Sequence, residues 1–213
     1  MATTSRAPRL RPADTRARIV EAARFLFWEK GFAATGLAEL LARAGANSGS
    51  FYHFFDSKDA VLRTVLETYR DLLDPLVIRP AFDAHIQPID RIFALLDGYR
   101  QRLLSTDCQY GCPIGRLALE LDPENAPAHA LIAQNFTAWR QAVEGCVRGA
   151  GIPKPGDVAA FVLTVMEGAV MQARAYRSLE PYDACIRQLR LHLAALAGAT
   201  KRPPRTTRLR RTR

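Results

Sequence analysis

Residues 35–60, TGLAELLARAGANSGSFYHFFDSKDA, constrain this chain more than any other stretch. Leu37, Leu40, Leu41 and Ala44 recur at i, i+3, i+4 and i+7, which is one apolar face of a helix. Thr35 stands ahead of that helix as its expected N-cap. Gly45 closes it, because glycine enters the left-handed conformation without a Cβ penalty. Asn47 or Ser48 then caps a second, very short helix running to Phe55. On it Phe51, Phe54 and Phe55 are expected to face inward, and Ser48, Ser50, Tyr52 and His53 outward. A short helix after a tight glycine turn is the geometry that brings a helix N-terminus to a major groove. Two ordinary core helices would suit the three phenylalanines equally well. The outward polar set on one short segment is what favours nucleic acid. Amides at 47–50 would face phosphate, Tyr52, His53 and Lys58 would reach the backbone, and Ser48 and Ser50 would lie near base edges. A hydroxyl both donates and accepts, so these serines carry little sequence information.

The same residues, written F-x-x-T-x-L-x-x-L-x-x-x-A-G-x-x-x-G-S-F-Y-x-x-F-x-S-K from Phe32 to Lys58, resemble the DNA-binding signature of the tetracycline-repressor (TetR) family. Ala46 stands where the family usually has a larger Val, Asn47 where Ser or Pro is common, and Gly36 where Thr is frequent. The resemblance implies a ligand-responsive transcriptional regulator, acting as a repressor, that binds a palindromic double-stranded DNA operator as a homodimer. Its implied DNA-contacting set is Thr35, Asn47, Ser48, Gly49, Ser50, Tyr52, His53 and Lys58. No Ser/His/Asp order, phosphate-cradling glycine loop or paired-carboxylate context points to catalysis, so neither enzymatic activity nor a cofactor is expected.

Charge divides the chain unevenly. Its formal net charge is +9, of which residues 201–213 supply seven Lys/Arg and no Asp/Glu. Residues 1–13 add Arg6, Arg9 and Arg11, while the middle of the chain is close to neutral. Basic ends suit a polyanion, whereas a plain solvated tail is the alternative. No basic leader followed by an apolar run opens the chain, and the longest apolar stretch, near Val158–Met166, falls short of a membrane span. The four cysteines (108, 112, 146 and 185) show no paired framework, so reduced thiols in a cytoplasmic protein, with no membrane partner, are expected. Cys108-x₃-Cys112 lacks a second pair, and no metal site is expected.

In chain order, residues 1–13 read as a flexible basic arm and 14–57 as a three-helix DNA-binding domain. Residues 58–200 read as a helical ligand-binding and dimerisation domain, and 201–213 as a disordered basic tail. The first helix should run from Asp14 or Thr15 to Gly31, with Ile19, Ala22, Ala23, Leu26 and Phe27 packing on the Leu37 face. Pro75, Pro80 and Pro88 predict a break over 74–90. A helix at about 58–73 precedes that break, and helices follow at about 89–104, through Leu121 after a loop implied by Gly111, Pro113 and Gly115, and at about 126–149, 157–178 (stopped by Pro181) and 182–197. No strand pattern appears, and the whole reads as all-α with about nine helices.

The last two helices carry apolar stripes wider than one internal face needs. Phe161, Val165 and Val170 lie on the first, and Ile186, Leu189 and Leu193 on the second. The family resemblance implies that they meet their copies in a four-helix dimer interface. The middle helices supply Tyr99, Leu103, Phe136, Trp139, Met166 and Tyr176, which are core residues or the walls of a pocket for a small-molecule effector of unknown identity. Cys112-Pro-Ile-Gly-x-Leu-Ala-x-Glu120 resembles a Gly-Cys-x-x-x-x-Leu-Ala-x-Glu segment of one TetR subgroup that includes sensors of electrophiles or unsaturated molecules. Three readings of Cys112 stay open at this point: a structural thiol, a wall of the effector pocket, or a reactive sensor at a helix mouth. Two other functions compete with the regulator: a helical small-molecule enzyme or carrier, and a DNA binder without sequence preference.

Overall fold

Every element in the computed structural model is helical among the described residues, 12–200. The helices are α1 (Pro12–Glu29), α2 (Leu37–Ala44), α3 (Ser48–Phe54), α4 (Lys58–Leu73), α5 (Arg79–Asp83), α6 (Pro88–Leu104), α7 (Pro113–Glu120), α8 (Ala126–Gly149), α9 (Pro155–Tyr176) and α10 (Glu180–Thr200). All nine expected helices are present. The tenth, α5, lies where the prolines predict a break: a π-type turn at Asp74–Ile78 leads straight into it, with Pro80 in its first turn. The wider turn at Asp74–Ile78 precedes Pro80, which has no amide to donate, and the segment stays helical. The expected basic arm lies almost wholly, and the basic tail entirely, outside the described residues.

The chain packs as two compact units. The first joins the residues up to Val77 with Cys108–Ala138; the second joins Ile78–Asp107 with the residues from Trp139 onward. In the first unit α1 packs on α2, α3, α4 and α7. Ile19, Ala23, Leu26 and Phe27 from α1, Leu40 from α2, Phe51 from α3 and Val61, Leu62, Val65 and Leu66 from α4 are buried in its core. Each such Leu, Ile or Phe contributes roughly 1.5–3 kcal/mol by leaving water.

In the second unit α9 packs along α10, and both meet α6. Val162, Met166, Ala169, Val170 and Ala173 of α9 are buried together with Tyr182, Leu189 and Leu193 of α10. Pro181 does not stop α9. Arg177 does, by taking φ 52 and ψ 42, so that the Ser178 amide reaches back to the Ala173 carbonyl at 3.1 Å. That six-to-one bond closes the last turn. By length and composition α9 is apolar enough to cross a membrane, contrary to the expected shortfall, but its buried side is committed to α10 and α6.

Candidate nucleic-acid interface

The turn between α2 and α3 is built from backbone chemistry the sequence dictates. Gly45 takes φ 57 and ψ 40, its amide donates to Ala42, and the Ala46 amide donates to Leu41 at 3.0 Å. This pair of bonds satisfies the last carbonyls of α2 while reversing the chain. Arg18 from α1 donates to the Gly45 carbonyl at 3.2 Å, fixing the turn to the first helix. Asn47 then caps α3: its Oδ1 accepts from the Ser50 amide at 2.8 Å. Substitution of Ser, Thr, Asn or Asp at such a cap costs about 1 kcal/mol.

α3 is two-faced. Phe51 is fully buried and Phe55 nearly so, with ring centroids 5.8 Å apart, while Phe54 is only half-buried. On the other side Asn47, Ser48, Gly49, Tyr52 and His53 are exposed and Ser50 is half-buried. Six of the eight residues expected at DNA therefore share one surface.

Thr35 and Lys58 do not join them as expected. Thr35 is not the cap of α2; that position is Gly36, which offers no side chain. Thr35 is fully buried, and its hydroxyl donates to the Gly31 carbonyl at 2.6 Å. Lys58 is half-buried over the Phe32 ring, and its ammonium donates to the carbonyls of Phe32 (2.8 Å) and Thr35 (3.0 Å). Both residues shape the turn before α2, with Lys58 holding it from the carbonyl side.

That turn has a second support that sequence reasoning missed. Glu120, at the end of α7, accepts the Ala33 amide at 2.6 Å. Gly31 takes φ 97, and a Cβ there would lie within 2.8 Å of the Glu120 carboxyl carbon. The segment before α7 is anchored on α1: the Trp28 indole donates to the Gly111 carbonyl at 2.7 Å, and the Tyr110 hydroxyl to Glu29 at 3.2 Å. The only sequence signal for Glu120 was its place in the Leu-Ala-x-Glu segment.

Cys112 is buried as the N-cap of α7, where its sulfur accepts from the Gly115 amide at 3.4 Å. It and Phe136 belong to the first unit; the other residues expected around an effector belong to the second. There Tyr99 and Trp139 meet edge to face at 6.4 Å, and Leu103, Trp139 and Met166 are buried. The Trp139 indole N–H is buried with no acceptor among the described residues. Tyr176, also expected there, is 71% exposed.

Of the residues expected between copies, Val170, Leu189 and Leu193 are buried within the chain. Their stripe is the one α9 and α10 use on each other. Phe161 remains 46% exposed, with Val165 and Ile186 half-buried. Met171 and Leu191, unassigned from sequence, are more exposed apolar residues of the same two helices. Between α6 and α10 an open groove of about 290 Å³ is lined by Phe93, Leu96, Arg100, Asp183, Ile186 and Arg190, among others. Arg100 grips both oxygens of Asp183 at 2.7 and 3.0 Å, and this bond holds the Asp183 carboxyl below its usual range.

Comparison with known proteins accounts for this arrangement. Residues 19–65 match the family described as bacterial regulatory proteins, tetR family, and residues 88–188 match the C-terminal domain of LmrA/YxaF-like transcriptional regulators. An uncharacterised HTH-type transcriptional regulator of Mycobacterium tuberculosis is 34% identical over 187 residues, covering 84% of this chain and 94% of that one. The HTH-type transcriptional repressor NemR of Escherichia coli is 30% identical over 183 residues, covering 80% and 89%. The crystal structure of a regulatory protein TetR from Rhodobacter sphaeroides shares the fold with a TM-score of 0.77 at 22% identity, covering 84% and 98%. With its two-faced α3 and a relative at this identity over most of its length, the chain belongs to the TetR family of transcriptional regulators.

Proposed function

We propose that this regulator is a homodimeric repressor that reads a palindromic operator with the exposed face of α3 and leaves it when a small molecule binds the second unit. The carrying observation is the division of α3 into a buried Phe51 side and an exposed side of Asn47, Ser48, Gly49, Tyr52 and His53. Phosphate contacts from Tyr52 and His53 would position the helix, and few side chains remain to read bases. Lys58 acts here by shaping the turn. The exposed apolar residues Phe161, Met171 and Leu191 support pairing of α9 and α10 with a second copy, whose two-fold axis matches a palindrome. A repressor of bacterial type would do this in the cytoplasm, without catalysis.

The buried, unpaired indole N–H of Trp139 supports an effector site beside Tyr99, Leu103 and Met166. A buried donor without an acceptor is costly, and a ligand oxygen would relieve that cost. Such an effector acts by favouring a state that fits DNA poorly. The named relative NemR is a repressor, which agrees with the sign. The test is fluorescence anisotropy of an operator duplex bound to the protein, with a panel of small apolar acids and mild electrophiles added. Release by one compound, without its turnover, supports the reading. Turnover without release would make the chain an enzyme or carrier instead.

A further inference from the structure

We infer that Glu120 is the positioning residue through which the 108–121 segment sets the turn before α2, and with it operator affinity. The inference rests on the reading of α3 as the DNA-contacting face. Ala33 and Glu120 are 87 positions apart in the chain, yet the Ala33 amide and a Glu120 oxygen meet at 2.6 Å. A bond from an amide to a charged carboxylate is among the stronger hydrogen bonds in a protein. The turn it holds is also gripped from the carbonyl side by the Lys58 ammonium, at Phe32 and Thr35. Residues 31–35 are therefore clamped between an acid from α7 and a base from α4. α2 begins at Leu37, directly after that clamp, and leads through the Gly45 turn into α3.

The strut is fastened at its other end as well. Trp28 bonds the Gly111 carbonyl at 2.7 Å and stacks near Tyr110, with centroids 5.0 Å apart. A shift of α7 cannot be absorbed at either end without moving a contact to α1 or to the turn. Gly31 leaves no slack, because its missing side chain is where the Glu120 carboxylate sits.

The same carboxylate also faces a cation. Its second oxygen is buried without a hydrogen bond, 3.8 Å from the Arg116 Nε, which is also buried without one. Arg116 and Glu120 are four apart on one helix, the spacing at which side chains meet. Glu120 thus faces the turn with one oxygen and Arg116 with the other, joining α7 to residues 31–35.

The test uses full-length protein and the duplex that the wild type enriches from a random library. Glu120→Ala should weaken binding to that duplex about tenfold or more, the effect of losing a hydrogen bond to a charged group. Glu120→Gln should stay within about threefold, because its amide oxygen still accepts from Ala33. Affinity for a random duplex should change less than about twofold in both, since counterion release there depends on cations this change leaves in place. Hydrogen exchange over residues 31–36 should accelerate in Glu120→Ala only. Unchanged exchange, or faster exchange with operator affinity intact, would overturn the inference. An equal fall on both duplexes would also overturn it, as general loss of fold. Failure of the wild type to enrich any sequence refutes the DNA reading itself, before any variant is made.

Discussion

Phe51 and Tyr52 are neighbours in α3 with rings 5.3 Å apart at 90°, yet Phe51 is fully buried and Tyr52 is 59% exposed. One side chain holds the helix to the first unit and the next is offered to solvent. Their substitutions should therefore separate stability from DNA affinity. Phe51→Ala should cost about 3–5 kcal/mol in chemical denaturation, as large-to-small changes in a core do. Tyr52→Ala should shift stability by less than about 0.5 kcal/mol while weakening binding to every duplex alike.

Two glycines with positive φ should respond differently to the same change. Gly45 at φ 57 has open space around it, so Gly45→Ala should cost about 1–2 kcal/mol, the left-handed penalty alone. Gly31 at φ 97 faces the Glu120 carboxylate, so Gly31→Ala should cost more and also lower operator affinity. Thermal melts beside anisotropy titrations measure both.

Phe161→Glu combined with Leu191→Glu should convert a dimer to a monomer in light scattering, because both apolar side chains are exposed on α9 and α10. Monomeric stability should hold. Leu193→Ala should do the reverse: it should keep the dimer and lose about 2–5 kcal/mol of stability, since Leu193 is fully buried within the chain.

The bond from Arg100 lowers the Asp183 pKa, which fixes the sign of its pH dependence. A carboxyl depressed in the folded state adds stability above its unfolded pKa of about 3.9 and loses that contribution as pH falls through the lower folded value. Wild type should therefore exceed Asp183→Asn in thermal stability at neutral pH, and the gap should close in acid below about pH 4. A gap that widened there would exclude this assignment.

Trp139→Phe should cost less stability than a large-to-small core change otherwise does, because it also removes a buried indole N–H that has no acceptor among the described residues. The same variant should lose effector-dependent release from DNA. Normal release with Trp139→Phe would move the effector elsewhere, and the groove beside Arg100 and Arg190 would be the next place to look.

What the sequence made legible was local. The 3.6-residue period of Leu37, Leu40, Leu41 and Ala44, the Gly45 turn and the Asn47 cap are short-range signals, and all three hold. What it concealed was long-range. Thr35 has the residue type of a cap, but its hydroxyl is drawn to the Gly31 carbonyl once the turn closes. Lys58 looks free for phosphate until Phe32 and Thr35 are folded beneath it. An apolar stripe shows that a face is buried, not by what, so Val170, Leu189 and Leu193 could not be told from residues that meet a second copy. Tyr176 suits a pocket by type but lies on the last turn of α9, 71% exposed. Glu120 gives no periodic signal toward a partner 87 positions away.

The central claim, symmetric reading of DNA by the exposed face of α3, is tested most directly by sequencing the duplexes that the purified full-length protein enriches from a random library. The account predicts one two-fold symmetric sequence whose half-sites fall about one helical turn, or a multiple of it, apart. It also predicts that enrichment disappears with the monomeric Phe161→Glu, Leu191→Glu variant. Enrichment of an asymmetric site by that monomer, or no enriched sequence at all, would contradict it.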